Sequence, residues 1–184
     1  MLILCEDALH RAFVTRFLKQ YDYAEYDLRV RQCPPRDGGA AEAFVRRSYS
    51  SELKAYRSRS TRAKTILIVV IDADTGSVKN REAQLQQACE DANVPVRQRN
   101  ELVLHVIPKR AINTWLAYLD GQSVDETTDY ANGRYAFRKC ESAVSSLVKR
   151  LHGMCEVEQL RQGAPPSLHH ACKEFERIKD RFRL

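Results

Sequence analysis

Residues 65 to 76, TILIVVIDADTG, constrain the fold of this chain more than any other stretch. From Thr65 to Ile71 the run is uncharged and mostly β-branched. That predicts a strand buried on both faces, as in the middle of a parallel sheet. Asp72 and Asp74 follow at once. In open α/β sheets, loops leaving the carboxyl ends of the strands form the crevice where ligands bind. Alternate residues of an extended chain point the same way, so Asp72 and Asp74 are expected to face one point. Two acids so placed repel unless something positive lies between them. A hard divalent cation, Mg²⁺ or Mn²⁺, takes oxygen ligands of this kind. The plainer reading of the same residues is a strand end followed by an Asp-Gly turn.

The start of the chain has a similar form. Residues 2 to 5, LILC, are apolar and end at Glu6 and Asp7. Beyond them Leu9, Phe13, Phe17 and Leu18 form an apolar stripe opposite Arg11, Arg16 and Lys19, which predicts a strand and then an amphipathic helix. Residues 27 to 33 are expected to form a second strand, broken by the turn chemistry of Cys33-Pro34-Pro35-Arg36-Asp37-Gly38-Gly39. A helix is expected from Ala40 to about Tyr56. Ser77 or Asn80 caps another that ends near Val94-Pro95. ELVLHVI at 101 to 107 reads as a buried strand, and AINTWLAYLDG as a helix closed at Gly121. A polar loop over 122 to 133 and helices over 134 to 152 and 167 to 182 complete the chain. Strands alternating with helices predict an α/β fold: a parallel Rossmann-like central sheet flanked by helices. Residues 1–120 would form that domain, and 121–184 a loop and helical extension packed on it.

The charge pattern bears on partners. A formal net charge of +6 permits an anionic ligand, and the bases concentrate before the central strand as Arg46, Arg47, Lys54, Arg57, Arg59, Arg62 and Lys64. The Gly38-Gly39 turn opening onto a helix also exposes backbone N–H groups that could hold a phosphate. A solvated helix face explains the same run of bases without any ligand. The 43% hydrophobic and 29% charged composition fits one globular domain with a proper core. The six cysteines form no CxxC pair, so structural zinc lacks support, and reduced thiols in a cytoplasmic protein are expected. The opening MLILCEDALH places two acids where a signal peptide would continue apolar. No apolar run approaches the roughly 20 residues needed to cross a bilayer, so no membrane partner is expected.

Glu6 after the first strand, Asp72 and Asp74 after the third and Lys109 with Arg110 after the fourth form a set that resembles the Toprim domain. That metal-binding α/β module is shared by topoisomerases, bacterial primases and OLD-family nucleases. The resemblance covers about residues 1 to 120. It implies that Glu6, Asp72 and Asp74 hold Mg²⁺ (or Mn²⁺) for phosphodiester chemistry on DNA or RNA. In such chemistry Glu6 serves as a ligand or proton acceptor, and Lys109 is a candidate for stabilising developing charge. The stretch IPKRAINTWLAYLDG resembles a helix of small stand-alone Toprim-like proteins from bacterial defence loci. That likeness implies an antiviral role beside an ATPase partner, in a protein that could be oligomeric. Two positions depart from the pattern. Asn113 stands where those proteins carry an acid before Thr-Trp, and Asp7 stands where the family has glycine after its glutamate.

Among the remaining candidates, His10 lies one helical turn beyond Glu6 and could reach the site, but solvent exposure is the expectation for it, as for His169 and His170. His105 is expected to be a satisfied strand histidine and Trp115 part of the core. The expected function is a metal-dependent nuclease or nuclease-like effector. Two other classes compete with it. One is a catalytically inactive sensor or interaction subunit. The other is a receiver-type signalling domain with Asp72 as phosphoacceptor, which the basic stretch and helical tail fit poorly.

Overall fold

Four short strands build the sheet: β1 (Leu2–Cys5), β2 (Arg29–Gln32), β3 (Leu67–Val70) and β4 (Val103–Val106). The computed structural model describes residues 1–23, 27–34, 40–156 and 159–182. Every strand pairing is parallel, in the order β2-β1-β3-β4. Among the described residues six α-helices accompany the sheet: α1 (Ala8–Lys19), α2 (Ala41–Ser60), α3 (Val78–Asp91), α4 (Ile112–Leu119), α5 (Phe137–Glu156) and α6 (Pro166–Phe182). The expected α/β architecture is therefore the observed one. The Gly38-Gly39 turn lies outside the described residues.

Alternation along the strands divides the core into two layers. Ile3, Cys5, Ile68, Val70, Leu104 and Val106 face α1, α4, α5 and α6. Leu4, Leu67, Val69, Ile71 and Val103 face α2 and α3. Both faces of β3 are covered, which is why its sequence is apolar without alternation. The apolar run is longer than the ladder, but Ile66 and Ile71 stay buried beside it, and Ile71 N donates to Val106 O.

The two edge strands are protected in different ways. β2 carries the exposed charges Arg29 and Arg31, which discourage pairing with another strand. β4 is covered by polar side chains. Glu174 of α6 accepts from the His105 amide at 2.8 Å, and Arg97 and Arg177 donate to Val103 O. The same helix contributes Phe175, stacked 4.2 Å from Phe17, and Ser167, which accepts from Trp115 Nε1. Trp115 is fully buried, as expected.

Cys155 and Cys172 are bonded to each other and tie α5 to α6, whereas Cys5, Cys33 and Cys89 are buried thiols outside any disulfide. The expectation of reduced thiols therefore holds for those three and is overturned for the helical pair. The periodicity that places 155 and 172 on facing helices becomes visible only once both helices are packed. Among the described residues no helix is long and apolar enough to cross a membrane.

Candidate functional site

The strand order locates the site before any side chain is considered. From β1 the chain crosses to β2 on one side, then passes back over the sheet to β3 on the other. The connections therefore diverge between β1 and β3, and the crevice outside their carboxyl ends is the topological switch point where open α/β sheets bind ligands. Glu6 immediately follows β1, and Asp72 follows β3 by two residues.

Their side chains meet there. Glu6 Oε1 accepts from the Asp72 amide at 2.6 Å, bridging 66 residues of sequence. Asp72 Oδ1 lies 3.1 Å from His10 Nε2. His10 is 1% exposed, against the expectation of solvent exposure. The reason is geometric: His10, Phe13 and Phe17 stand at i, i+3 and i+7, so the ring belongs to the buried stripe of α1. Asp7, where the Toprim pattern has glycine, is the helix N-cap. Its carboxylate accepts from the His10 amide at 2.8 Å and so fixes the first turn of α1.

The electrostatics follow from this burial. Removal from water pushes the Glu6 carboxyl up to about 7; His10 opposes the rise and Asp72 adds to it. For His10, burial disfavours the imidazolium. The charge and hydrogen bond of Asp72, with Asp7 and Glu6, outweigh that and raise its pKa to about 10. His10 Nδ1 is buried with no partner among the described residues, the kind of cost that functional sites retain.

The sign of this shift gives a test. A histidine raised from 6.5 to about 10 contributes stability that is complete below 6.5 and lost as pH rises through 10. His10→Gln keeps a donor for Asp72 but cannot carry the charge. In EDTA, the melting-temperature advantage of wild type over this variant is expected to be largest near pH 6.5 and to shrink toward pH 10. A constant difference would show that no charge resides on His10.

Asp74 is held differently from the sequence expectation. The strand ends at Val70, and Asp74 takes a left-handed backbone with φ of 55°. Same-side alternation therefore does not extend to it. Its carboxylate accepts from Arg81 Nη2 at 2.9 Å, and Arg81 Nη1 donates to Glu42 at 2.8 Å. Burial, then Asp72, raise the Asp74 carboxyl, so it remains within electrostatic reach of the other acids. Arg81 was not foreseen, yet Arg81, Leu85 and Cys89 form the buried stripe of α3, and a cation on such a stripe was the available signal.

Lys109 and Arg110 lie on the loop after β4, which the Ala73 amide joins to β3 through Pro108 O. Arg110 is near enough to counter the rise of the Asp74 carboxyl. Lys109 is half-buried and makes no hydrogen bond or ion pair among the described residues. Asn113 donates to Tyr135 O at 2.6 Å inside the protein, tying α4 to the segment before α5. His105 is buried with Nε2 2.9 Å from the Tyr49 hydroxyl. His169 is exposed as expected, but His170 pairs with Glu82 at 3.4 Å and links α6 to α3.

Among the described residues no group of three or more His, Cys, Asp or Glu side chains is arranged to hold a metal ion. The pair Glu6 and Asp72 nonetheless suits a hard cation. Glu6 Oε1 and Asp72 Oδ1 are used within the chain, while Glu6 Oε2 and Asp72 Oδ2 have no partner among the described residues. Mg²⁺ commonly binds through one or two carboxylates and completes its shell with water and substrate phosphate. No protein-family model matches the chain, and none of the curated proteins or solved structures does.

Proposed function

We propose that the crevice at the carboxyl ends of β1 and β3 takes Mg²⁺ or Mn²⁺ through Glu6 and Asp72 and serves the hydrolysis of nucleic-acid phosphodiesters. The observation that carries this reading is the meeting of Glu6 and Asp72 from adjacent parallel strands at the switch point, each with a free carboxylate oxygen. A bound cation would neutralise charge developing on the phosphate and favour ionisation of an attacking water. The remaining roles belong to the chain. Burial holds the Glu6 carboxyl up to about 7 in the chain without a cation; a cation beside it would favour the carboxylate, the form that serves as a ligand. His10 orients Asp72 through Nε2, and Arg81 positions Asp74. Lys109 and Arg110 place positive charge beside the crevice, where a phosphate would lie.

The wider setting is a cytoplasmic effector of bacterial antiviral defence, acting with an ATPase and able to form an oligomer. It rests on the resemblance of IPKRAINTWLAYLDG to Toprim-like defence proteins. A second reading has its own support. His10 and Arg81 already neutralise Asp72 and Asp74 from within, an arrangement that suits a Toprim-like sensor or interaction subunit without catalysis. Incubating the purified protein with supercoiled plasmid and with structured RNA, with Mg²⁺, Mn²⁺ or EDTA, separates the two. Cutting that requires the cation supports the nuclease. Mn²⁺ binding without cutting supports the subunit, and absence of both removes the metal reading.

A further inference from the structure

The basic run before β3 divides into two groups once the chain is folded. Arg46 pairs with Glu42, and Arg57 makes a two-pronged contact with Glu101 while donating to the carbonyls of Pro95 and Val96. The first pair lies within α2, and Arg57 holds that helix to the segment before β4. The last three bases of the run, Arg59, Arg62 and Lys64, line with Arg29 a cavity of about 340 Å³ at the amino-terminal ends of β1, β2 and β3. Ser58 and Thr65 add hydroxyls to its wall, and no carboxylate lines it.

This convergence is not explained by internal pairing. Arg29, Arg62 and Lys64 make no ion pair among the described residues, and Arg59 reaches Glu52 only at 3.8 Å. The backbone carbonyl of Asp27 is bonded to the Met1 nitrogen nearby. Four cations around one hollow repel one another. Guanidinium groups bind phosphate oxygens in pairs, ammonium and hydroxyl groups complete such a shell, and the volume falls in the range of ligand pockets.

We propose that this cavity is a second binding site, for a ligand carrying adjacent phosphates. That chemistry is shared by a free polyphosphate, such as a nucleoside triphosphate, and by the sugar-phosphate chain of a nucleic acid. The site stands apart from the carboxylate crevice. It opens at the opposite ends of the strands, about 13 Å away along a four-residue strand. It does not depend on the activity assigned to Glu6 and Asp72.

The test is titration calorimetry of the full-length protein in EDTA against inorganic tripolyphosphate, ATP and a short single-stranded oligonucleotide. Wild type is compared with Arg62→Glu/Lys64→Glu and with Lys79→Glu/Lys149→Glu. All four substituted side chains are exposed, and both variants change the net charge equally. Wild type is expected to bind at least one phosphate probe, and Arg62→Glu/Lys64→Glu to bind it about tenfold or more weakly. Lys79→Glu/Lys149→Glu is expected to bind as wild type does. Tripolyphosphate and ATP binding without the oligonucleotide identifies a small polyphosphate as the ligand. Oligonucleotide binding that depends on Arg62 and Lys64 identifies nucleic acid. Absence of binding to every probe, or equal weakening in both variants, overturns the proposal. Melting curves of both variants, expected to match wild type, establish that lost binding reflects the cavity and not the fold.

Discussion

Glu6→Gln is expected to lower cation-dependent cleavage by about 10²–10³-fold, the usual effect of removing one electrostatic group from a phosphoryl or acyl site. The fold should survive the change. Gln keeps an oxygen to accept from the Asp72 amide, the contact that joins the ends of β1 and β3. It also removes a carboxylate that burial holds up to about 7, so stability near neutral pH should stay level or rise. Activity and stability thus move separately, and a general loss of structure cannot imitate the result. Asp72→Asn should abolish cleavage too, but it also takes the counter-charge from His10. The imidazole can lose its proton in response, so the added cost is expected to be about 1–3 kcal/mol. Cutting by Glu6→Gln at the wild-type rate would place the chemistry elsewhere in the molecule.

The second large effect concerns the free edge of β4. Glu174 is 8% exposed, and it joins three groups: the His105 amide, Arg97 and Arg177. Glu174→Ala strands a buried backbone donor and removes the counter-charge that Arg97 and Arg177 share, although both keep their bonds to Val103 O. Breaking a buried ion pair by deleting one partner costs about 3–5 kcal/mol. For a chain of this size that is a fall in melting temperature of roughly 6–20 °C. Glu174→Gln should retain part of the loss, because its amide oxygen can still accept from His105. The order wild type, Gln, Ala in thermal melts is the expected result. Equal stability of all three would mean that α6 does not protect this strand edge.

These contacts show what the sequence could and could not reveal. The buried runs at Leu2–Cys5 and Leu67–Val70 were legible because a strand covered on both faces has no alternation to confuse. The acids that end such runs are conspicuous. Glu6 and Asp72 stand out as candidates in that way. Asp74 was misplaced because its orientation depends on a left-handed backbone beyond the strand, where period two no longer applies. His10, Arg81 and Glu174 share a different cause. Each occupies the buried stripe of its helix, and each is tolerated there because its partner arrives from a distant part of the chain. Asp72 lies 62 residues from His10, Glu42 lies 39 from Arg81, and the His105 amide lies 69 from Glu174. Hydrophobic periodicity marks the stripe but does not name the partner, so a polar residue there reads as exposed until the topology is known. The basic run before β3 posed the opposite problem. Its charges were plain, but whether the fold consumes Arg57 depended on where Glu101, 44 residues away, would stand.

The metal reading comes down to where a cation settles. Crystals of the protein soaked in Mn²⁺ and measured for anomalous scattering should show a peak in contact with both the Glu6 and Asp72 carboxylates. The same peak should be lost from crystals of Glu6→Gln. A map with no peak at that position, or with Mn²⁺ bound only at other carboxylates, would contradict the assignment.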